Sequence, residues 1–346
     1  MTLVDLSAPP AAPDPAQFSE QPAGLLDALP RRVALTLAEL RCAAAHAGDA
    51  PLPFDVPATT SDRAGGPEAG PEAGPYAGPG ASAAAGGLES RLGRSPGSVE
   101  DDAWATVMTA LHEPVGSLAR RGLLVDGALD EGLAGAVGLL AVPDVALDLD
   151  VAVQTAGGAL RARAWHRQAG GAVATLATLD GVVFELSWFA AEHWPAELAR
   201  VPVLPEDHDA GRSSVPERVD LPYELADAAA EAVRSSRPDL LAVLADQHAA
   251  AVHDGDGTAY GTTEVLDLLA GLGTEAQGRL RAMVADTRAE RTEVVGVASW
   301  VLLGDGWHAL RPYRHRTSGE ARVEVRRVEP PDLGPLLAPV LAEVTR

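Results

Sequence analysis

The sequence contains no lysine, asparagine or isoleucine, so all 27 of its basic residues are arginines. The codons of these three residues are AT-rich, and their absence indicates a GC-rich bacterial genome. The richness in Ala, Gly, Arg and Pro therefore carries little functional information. Acidic residues number 49, which gives a formal net charge of -22. Long-range repulsion at this charge argues against nucleic acid or an anionic lipid surface as a partner.

The chain also has little that points to export or to a membrane. Cys42 is its only cysteine, so an internal disulfide is excluded and nothing requires an oxidising compartment. The first basic residue is Arg31, and no charged segment precedes an apolar one, so we expect no signal peptide. No apolar run approaches the roughly 20 residues that span a bilayer. We therefore expect a cytoplasmic protein without membrane insertion.

Most sequence signatures of catalysis are missing. The chain has no Gly-x-Ser-x-Gly elbow, no phosphate-binding loop and no dinucleotide fingerprint. Its histidines lack metal-ligand spacing, because His248 and His253 are five residues apart and would lie on different faces of a helix. We expect a protein that is not an enzyme and that binds neither a cofactor nor a metal.

One motif leaves an enzymatic alternative open. Asp254-Gly-Asp256-Gly-Thr258 matches the nucleophile signature of haloacid-dehalogenase-like phosphatases, in which Asp254 would attack phosphorus and Asp256 would act as acid and base. That motif must follow a buried strand, whereas the preceding run from Leu244 to His253 is Ala-rich and typical of a helix. A polar turn is the favoured interpretation. A phosphatase or hydrolase and a non-catalytic scaffold remain as alternative functions.

Composition divides the chain into four parts. Residues 1–22 are rich in proline and lack apolar periodicity, which predicts a disordered tail. Residues 23–54 are expected to give the N-terminal helix of the globular domain, since Thr36 and Glu39 form a capping-box pattern. Residues 55–100 repeat Gly-Pro-Glu-Ala tetrads and predict a low-complexity linker or insertion. Residues 101–346 form the main α+β domain, with a first half at 101–200 and a second half at 220–346.

Two groups of strands are predicted, each after a group of helices. The strands of the first group are separated from one another by Gly157-Gly158, Gly170-Gly171 and Asp180-Gly181, which favour hairpins. Its strands are predicted at 145–155, 159–168, 172–179 and 182–188. The second is a meander predicted from 293 to 328, with Gly304-Asp305-Gly306 as its first turn. The repeated order predicts an α+β protein with two similar halves.

The helices of the second half are predicted upstream of its meander. They are expected at 222–235, 238–252, 262–270 and 274–285, and a closing helix is expected at 332–345. The helix at 274–285 is predicted because Thr274-Glu-Ala-Gln277 matches a capping box. In the first half, Asp101-Asp102 is expected to cap a helix that carries Trp104.

The tryptophans permit two interpretations. Trp165, Trp188, Trp300 and Trp307 all fall in predicted strands or hairpins, and tryptophan is mostly buried, which favours core packing. The alternative is a sheet face that offers aromatic and arginine side chains to a partner protein, since these residues dominate interface hot spots. Besides the tryptophans, the side chains of that face would be Arg161, Arg163, Arg311, Tyr313 and Arg314.

Several blocks of the chain, in a shared order, carry a resemblance to a known family. They are Leu35–Leu40, Pro51–Phe54, Leu118–Leu124, Leu129-Asp130, Leu139–Pro143, Val145–Val153, Arg161–His166, Gly296–Trp300, Gly304–Pro312 and Val323–Val328. In these blocks the sequence resembles the ESX secretion-associated EspG proteins of actinobacteria. The resemblance covers most of the chain outside residues 1–30 and 55–100.

The resemblance implies a quasi-two-fold α+β fold whose central antiparallel sheet is flanked by two helical bundles. It implies a cytoplasmic chaperone of type VII secretion that keeps a helical secreted protein soluble, either a PE/PPE-like heterodimer or a WXG-type substrate. It further implies that the partner contacts the sheet, the C-terminal helices and the hairpin around Ala156-Gly157-Gly158. The predicted partner-binding residues are Gly157, Gly158, Arg161, Arg163, Trp165, Trp188, Arg311, Tyr313 and Arg314.

Overall fold

The computed structural model of the protein describes residues 30–54, 113–155, 158–204, 211–288 and 292–344. The predicted tail at 1–22, the low-complexity tract at 55–100 and the predicted helix after Asp101 lie outside these residues. Gly157 also lies outside them.

The described strands form a large antiparallel sheet and a separate two-stranded hairpin. The strands are β1 (Arg31–Thr36), β2 (Leu124–Val125), β3 (Ala128–Leu129), β4 (Val145–Thr155), β5 (Gly158–Ala169), β6 (Ala172–Thr178), β7 (Val183–Ala190), β8 (Arg218–Pro222), β9 (His253–Asp254), β10 (Gly278–Asp286), β11 (Glu293–Leu303), β12 (Gly306–Arg314) and β13 (Ala321–Val328). The large sheet has 11 strands in the order β1-β7-β6-β5-β4-β10-β11-β12-β13-β8-β9, while β2 and β3 form the hairpin.

Eight α-helices are present among the described residues. They are α1 (Leu37–His46), α2 (Pro114–Arg120), α3 (Glu131–Ala141), α4 (Trp194–Leu198), α5 (Tyr223–Arg234), α6 (Asp239–His248), α7 (Thr262–Thr274) and α8 (Leu333–Val344). The fold is therefore of the α+β class, as the order of the predicted elements indicates.

The order of elements repeats in the two halves of the chain. Each half begins with a short strand that runs directly into a helix, β1 into α1 and β8 into α5. Each continues through further helices into a four-stranded meander, β4–β7 or β10–β13, and then through a 3₁₀ turn into a last helix. The first strands of the two meanders, β4 and β10, pair antiparallel at the centre of the sheet. The halves thus share one sheet with a quasi-two-fold arrangement.

Three hydrophobic cores hold this arrangement together. The first-half core packs α1, α2 and α3 against β1, β5, β6 and β7. The second-half core packs α5, α6 and α7 against β8, β11, β12 and β13. Alternate strand residues place both cores on one side of the sheet, which we call the bundle face. The central core, under α4 and α8, occupies the opposite face and includes residues of β4 and β10.

The structure corrects three predictions about local structure. Residues 274–285 were predicted to be a helix, but the helix α7 ends at Thr274 and the strand β10 occupies Gly278–Asp286. The N-terminal segment holds the strand β1 before its helix, and the strand β8 ends at Pro222, where the predicted helix at 222–235 was expected to begin. Both missed strands are short, and each is fixed by pairing with a distant strand rather than by its own residues.

The capping box at the start of α1 is confirmed and has a second function. Thr36 Oγ1 accepts from the Glu39 amide, and Glu39 Oε2 accepts from the Thr36 amide. The buried Glu39 carboxylate also accepts from Ser117 Oγ at 2.7 Å and from Arg121 at 3.2 Å. Burial alone would raise the pKa of Glu39, but these hydrogen bonds and the Arg121 charge lower it. Glu39 therefore attaches α1 to α2 as a charged group.

A buried histidine lies in the central core. His166 on β5 is buried, and its Nδ1 accepts a hydrogen bond of 3.0 Å from the indole N–H of Trp194 on α4. Burial, and secondarily the charge of Arg167, lower the pKa of His166 to about 3. The folded protein therefore holds this imidazole neutral.

We expect the protein to lose stability on mild acidification because of His166. Between a pKa near 6.5 in the unfolded chain and about 3 in the folded state, only the unfolded chain binds the proton. The free energy of unfolding should therefore decrease as the pH falls, by about 2 kcal/mol from pH 6.5 to 5. Urea unfolding between pH 7 and 5, above the range in which most carboxylates titrate, measures this decrease.

His166→Gln is the control for this effect, because it keeps an acceptor for the Trp194 N–H but does not titrate in this range. Its free energy of unfolding should vary much less between pH 7 and 5. Equal slopes in the two proteins would show that His166 is not the source of the acid sensitivity.

Candidate protein-binding surface

The centre of the bundle face, unlike the two ends of the sheet, contributes no described side chain to either bundle-face core. Neither bundle-face core includes any described residue of β4 or β10, although both strands contribute to the central core on the other face. The bundle-face side chains of β4 include Asp148, Asp150 and Gln154, and those of β10 include Arg279 and Arg281. A strip of mainly polar side chains, interrupted by the buried Met283, therefore runs between the two helical bundles along the central strands.

Strand register arranges four arginines of this strip in two rows. In the first row Asp150 on β4 lies between Arg163 on β5 and Arg281 on β10. In the second row Ala152 lies between Arg161 and Arg279. Side chains at directly paired positions point to the same face, so all four guanidinium groups project from the bundle face. We call Arg161, Arg163, Arg279 and Arg281 the arginine cluster.

The cluster places four arginines beside one carboxylate, that of Asp150. Arg163 Nε lies 3.9 Å from Asp150 Oδ2. Burial raises the pKa of Asp150, and the charges of all four arginines oppose that rise. Four guanidinium groups thus act on the Asp150 carboxylate, in a chain whose net charge is -22.

Burial decreases along the strip. At one end Asp148 and Arg167 are buried and form an ion pair of 2.6 Å. At the other end Arg161 and Gln154 are exposed, next to the hairpin that joins β4 to β5. An exposed apolar side chain, Val297 on β11, lies on the same face in the row of Asp148 and Met283, and it retains 47% of its accessible surface. The surface thus combines arginine side chains with apolar contact area, as protein interfaces do.

Three of the predicted partner-binding residues lie on this surface. Gly158 begins β5 with φ +121°, a conformation that favours glycine, and forms the exposed end of the hairpin. Arg161 and Arg163 follow on β5 as two members of the arginine cluster. The structure therefore brings these three together at the exposed end of the strip.

Trp165 and Trp188 lie elsewhere, in the first-half core. Trp165 retains 5% of its accessible surface and packs against the ring of Phe54, with centroids 5.6 Å apart. Trp188 retains 7% and lies in the same core. Of the two interpretations of these tryptophans, their burial favours core packing, because neither indole presents a surface to a partner.

Arg311, Tyr313 and Arg314 form a third, separate group near the end of β12. Three strands, β4, β10 and β11, lie between β5 and β12, so the two groups are about 20 Å apart across the sheet. All three side chains are exposed, and Tyr313 pairs with Arg322 across the β12–β13 hairpin. The structure does not join this group to the arginine cluster.

The sequence analysis missed two members of the cluster, Arg279 and Arg281, because it assigned their segment to a helix. A signal was available in the alternation from Gly278 to Asp286. Leu280, Ala282 and Val284 of this segment enter the central core, and the arginines occupy the opposite positions. The pattern Arg-x-Arg also matches Arg161 and Arg163 in the first half.

The phosphatase-like motif forms a turn at the edge of the sheet. Asp254 ends the two-residue strand β9, and its Oδ1 accepts from the amides of Asp256 and Thr258 at 2.9 and 2.8 Å. Gly257 completes the turn with φ +87°. These contacts are typical of a polar turn stabilised by an Asp side chain, and β9 is an edge strand rather than a buried central one.

Within the described residues, no three His, Cys, Asp or Glu side chains lie close enough together to hold a metal ion. None of the helices in this part of the chain is long and apolar enough to cross a bilayer.

Comparison with solved structures relates this fold to a secretion chaperone. The chain is similar to EspG5, the type VII secretion system chaperone of Mycobacterium tuberculosis, in a structure of its complex with the PE25-PPE41 dimer. The TM-score is 0.55 at 12% sequence identity, over 90% of this chain and 96% of the EspG5 chain. The protein has an EspG-like fold. No protein-family model and no curated protein sequence matches the chain.

Proposed function

We propose that this protein is a cytoplasmic chaperone of a type VII secretion system. It binds a helical secreted protein, a PE/PPE-like heterodimer or a WXG-type substrate, and keeps it soluble until export. The observation that carries the proposal is the similarity in fold to EspG5 over nearly the whole length of both chains. A likeness at 12% identity establishes fold, so the proposed client class rests on that fold together with the surface described above.

The proposed binding surface is the central strip of the bundle face with the hairpin beside it. Gly158, Arg161 and Arg163 form its exposed end, and Val297 adds apolar contact area. Arginine side chains around apolar groups are favoured at binding hot spots. The two helical bundles would lie on either side of a bound helix end and contact its sides. Arg311, Tyr313 and Arg314 stay a separate proposed contact on β12.

The mechanism needs no covalent chemistry. An amphipathic client exposes an apolar helix end, which aggregates unless it is covered. Docking of that end on the strip removes its apolar surface from water and is reversible, because it rests on side-chain contacts alone. The client is then released when the secretion machinery offers a competing surface.

We expect a stoichiometric complex when the tagged protein is co-expressed with the small helical secreted protein encoded beside it. The client should elute with the chaperone in size-exclusion chromatography and should be insoluble when expressed alone. Val297→Asp should decrease the amount of complex several-fold, because it places a charge in the apolar part of the surface. No complex with any neighbouring gene product would contradict the proposal.

The matched control for this variant is Val203→Asp. Val203 is also exposed, at 62%, but its segment lies on the opposite face, where Pro202 O accepts from the Trp307 indole at 2.8 Å. This variant should leave the amount of complex unchanged. If both variants weaken the complex equally, the strip is not the binding surface.

A further inference from the structure

The large sheet opens between β11 and β12. These two strands pair only over residues 299–303 of β11 and 306–310 of β12. Residues 293–298 at the start of β11 follow β10, and residues 311–314 at the end of β12 follow β13. No described strand pairs with residues 293–298 on the side that faces β12. We call residues 293–298 of β11 the open edge.

The main chain of Val297 faces this opening. Along a strand, the main-chain groups of successive residues point alternately to the two sides. The Leu302 carbonyl accepts a hydrogen bond of 2.8 Å from the Gln277 amide, on the side of β10. Val297 lies five residues before Leu302, so its N–H and C=O point to the other side, toward β12.

Pro312 explains why β12 does not close the opening. If the register of the two strands continued, Pro312 would lie opposite Val297. Proline has no N–H, so it cannot donate the hydrogen bond that the Val297 carbonyl would accept from this position. The strands therefore part after Leu310, and the main chain of Val297 has no strand partner among the described residues on that side.

The open edge is apolar and rich in β-branched residues. It reads Glu-Val-Val-Gly-Val-Ala, and Val297 retains 47% of its accessible surface. On the opposite face of the sheet α8 lies over it, so close that a Cβ on Gly296 would lie 2.5 Å from Val340 Cγ1. An exposed apolar edge is a template for strand pairing, which other proteins block with charges or proline. This edge therefore offers main-chain hydrogen bonds and apolar contacts to an extended segment.

The far side of the opening is basic. Residues 311–316 read Arg-Pro-Tyr-Arg-His-Arg, and all of them are exposed. Two carboxylates of the same hairpin, Glu320 and Glu324, form ion pairs with Arg322 and Arg218. A segment in the opening would therefore lie beside three arginines, which favours acidic side chains on that segment.

We propose that the open edge binds an extended, acidic segment of the client, which pairs with Val297 as an additional strand. This inference rests on the proposed function, since it specifies how the chain next to the client's helix end is held. The Val297 side chain belongs to the proposed binding surface, while its main chain faces the opening. One client can therefore place its helix end on the strip and the segment that leaves this helix along the open edge.

A second copy of this chain fits the open edge less well than a client does. Pairing of two open edges would bring two basic runs at 311–316 toward each other, and each copy carries a net charge of -22. Both the local and the overall charge oppose this dimer. A segment with acidic side chains meets the opposite charge at residues 311–316.

The test uses the full chain and a short fluorescent peptide, Thr-Val-Glu-Val-Glu-Val-Thr, in fluorescence anisotropy. One control peptide is N-methylated at its three central residues and should bind about tenfold more weakly or less, because it lacks main-chain donors. A second control replaces both glutamates with glutamine and should bind several-fold more weakly, with a difference that shrinks at high salt. If the first peptide does not bind, or if either control binds equally well, the inference is wrong.

Two variants at one position test the edge itself. Val297→Pro removes the main-chain donor and should fold, because the Val297 N–H points away from β10 and proline is tolerated on such an edge. It should weaken binding of the glutamate peptide by about tenfold or more. Val297→Thr keeps the N–H and the β-branched shape and should change binding less than about twofold. Equal losses in the two variants would overturn the inference.

Hydrogen exchange locates the bound peptide on the unaltered protein. Binding should slow the exchange of amides in residues 293–298, because main-chain pairing protects them from solvent. Slowed exchange elsewhere, with no change in residues 293–298, would overturn the inference.

Other occupants of the edge give different results. A dimer in analytical ultracentrifugation that Val297→Pro abolishes would assign the edge to a second copy and overturn the inference. Peptide affinity that rises when residues 1–22 are deleted would assign the edge to the chain's own N-terminal segment, with the same consequence.

Failure of the inference and failure of the proposed function are distinguishable. The peptide assay needs no client, so the absence of a co-purifying client would remove the proposed function alone. A client complex that forms equally well with Val297→Pro and Val297→Thr would remove the inference and leave the proposed function in place.

Discussion

Replacing Asp148 with alanine is expected to lower the free energy of unfolding by about 3–5 kcal/mol. Arg167 Nη1 donates to Asp148 Oδ1 at 2.6 Å, and the two side chains retain only 8% and 4% of their accessible surface. Burial raises the pKa of Asp148, and the charge and hydrogen bond of Arg167 oppose that rise. Without Asp148 the Arg167 guanidinium stays buried and loses the carboxylate with which it pairs. A domain is stable by only about 5–15 kcal/mol, so the loss is large.

Two variants separate this effect from the loss of any ion pair. Asp239→Ala breaks an exposed pair with Arg237, whose side chains retain 62% and 56% of their surface, and should leave the free energy of unfolding almost unchanged, because solvent screens the pair. The double variant Asp148→Leu with Arg167→Met replaces both charges with apolar groups and should recover most of the stability. Urea unfolding measures the free energy of unfolding of Asp148→Ala and of both of these variants. A loss in Asp148→Ala no greater than that in Asp239→Ala would contradict the prediction.

The first meander could be predicted from sequence because its signals are local. The strand β4 was predicted with its observed bounds, since alternating apolar residues end at glycine pairs that favour hairpins. The strand β10 could not be predicted in this way. Its segment is rich in good helix formers and follows Thr274-Glu-Ala-Gln277, a capping-box pattern, yet β4 and β11 pair with it on both sides. Tertiary pairing outweighed local propensity there.

The extent of the candidate site could not be predicted from sequence, because it depends on which strand positions the helices cover. Arg161, Arg163 and Trp165 occupy alternate positions of β5, so their side chains lie on one face of the sheet. Alternation could not show where along that face the helices stop covering the strand. The first-half core covers Trp165 but leaves Arg161 exposed, four residues away. The burial of a side chain on a strand depends on the length and position of helices from other parts of the chain, and alternation carries no information on either.

Trp300→Ala is expected to lower the free energy of unfolding by about 3–5 kcal/mol, the second large effect on stability. Trp300 lies on β11 in the central core and is almost fully buried, with 1% of its surface accessible. Its ring lies 6.2 Å from that of Trp307, and Leu333 and Leu337 of α8 belong to the same core. Alanine would leave a large cavity between the centre of the sheet and the C-terminal helix, which the strands on both sides prevent from collapsing.

Phenylalanine at the same position separates packing from hydrogen bonding. Trp300 Nε1 is buried and has no hydrogen-bond partner among the described residues, whereas Trp307 Nε1 donates to Pro202 O at 2.8 Å. Trp300→Phe removes an unpaired donor, and Trp307→Phe leaves a buried carbonyl without its donor. Trp307→Phe should therefore lower the free energy of unfolding, measured with urea, by about 1 kcal/mol more than Trp300→Phe does. If Trp300→Phe lowers the free energy of unfolding as much as Trp300→Ala, burial of an aromatic ring is not what Trp300 contributes, and the packing argument is wrong.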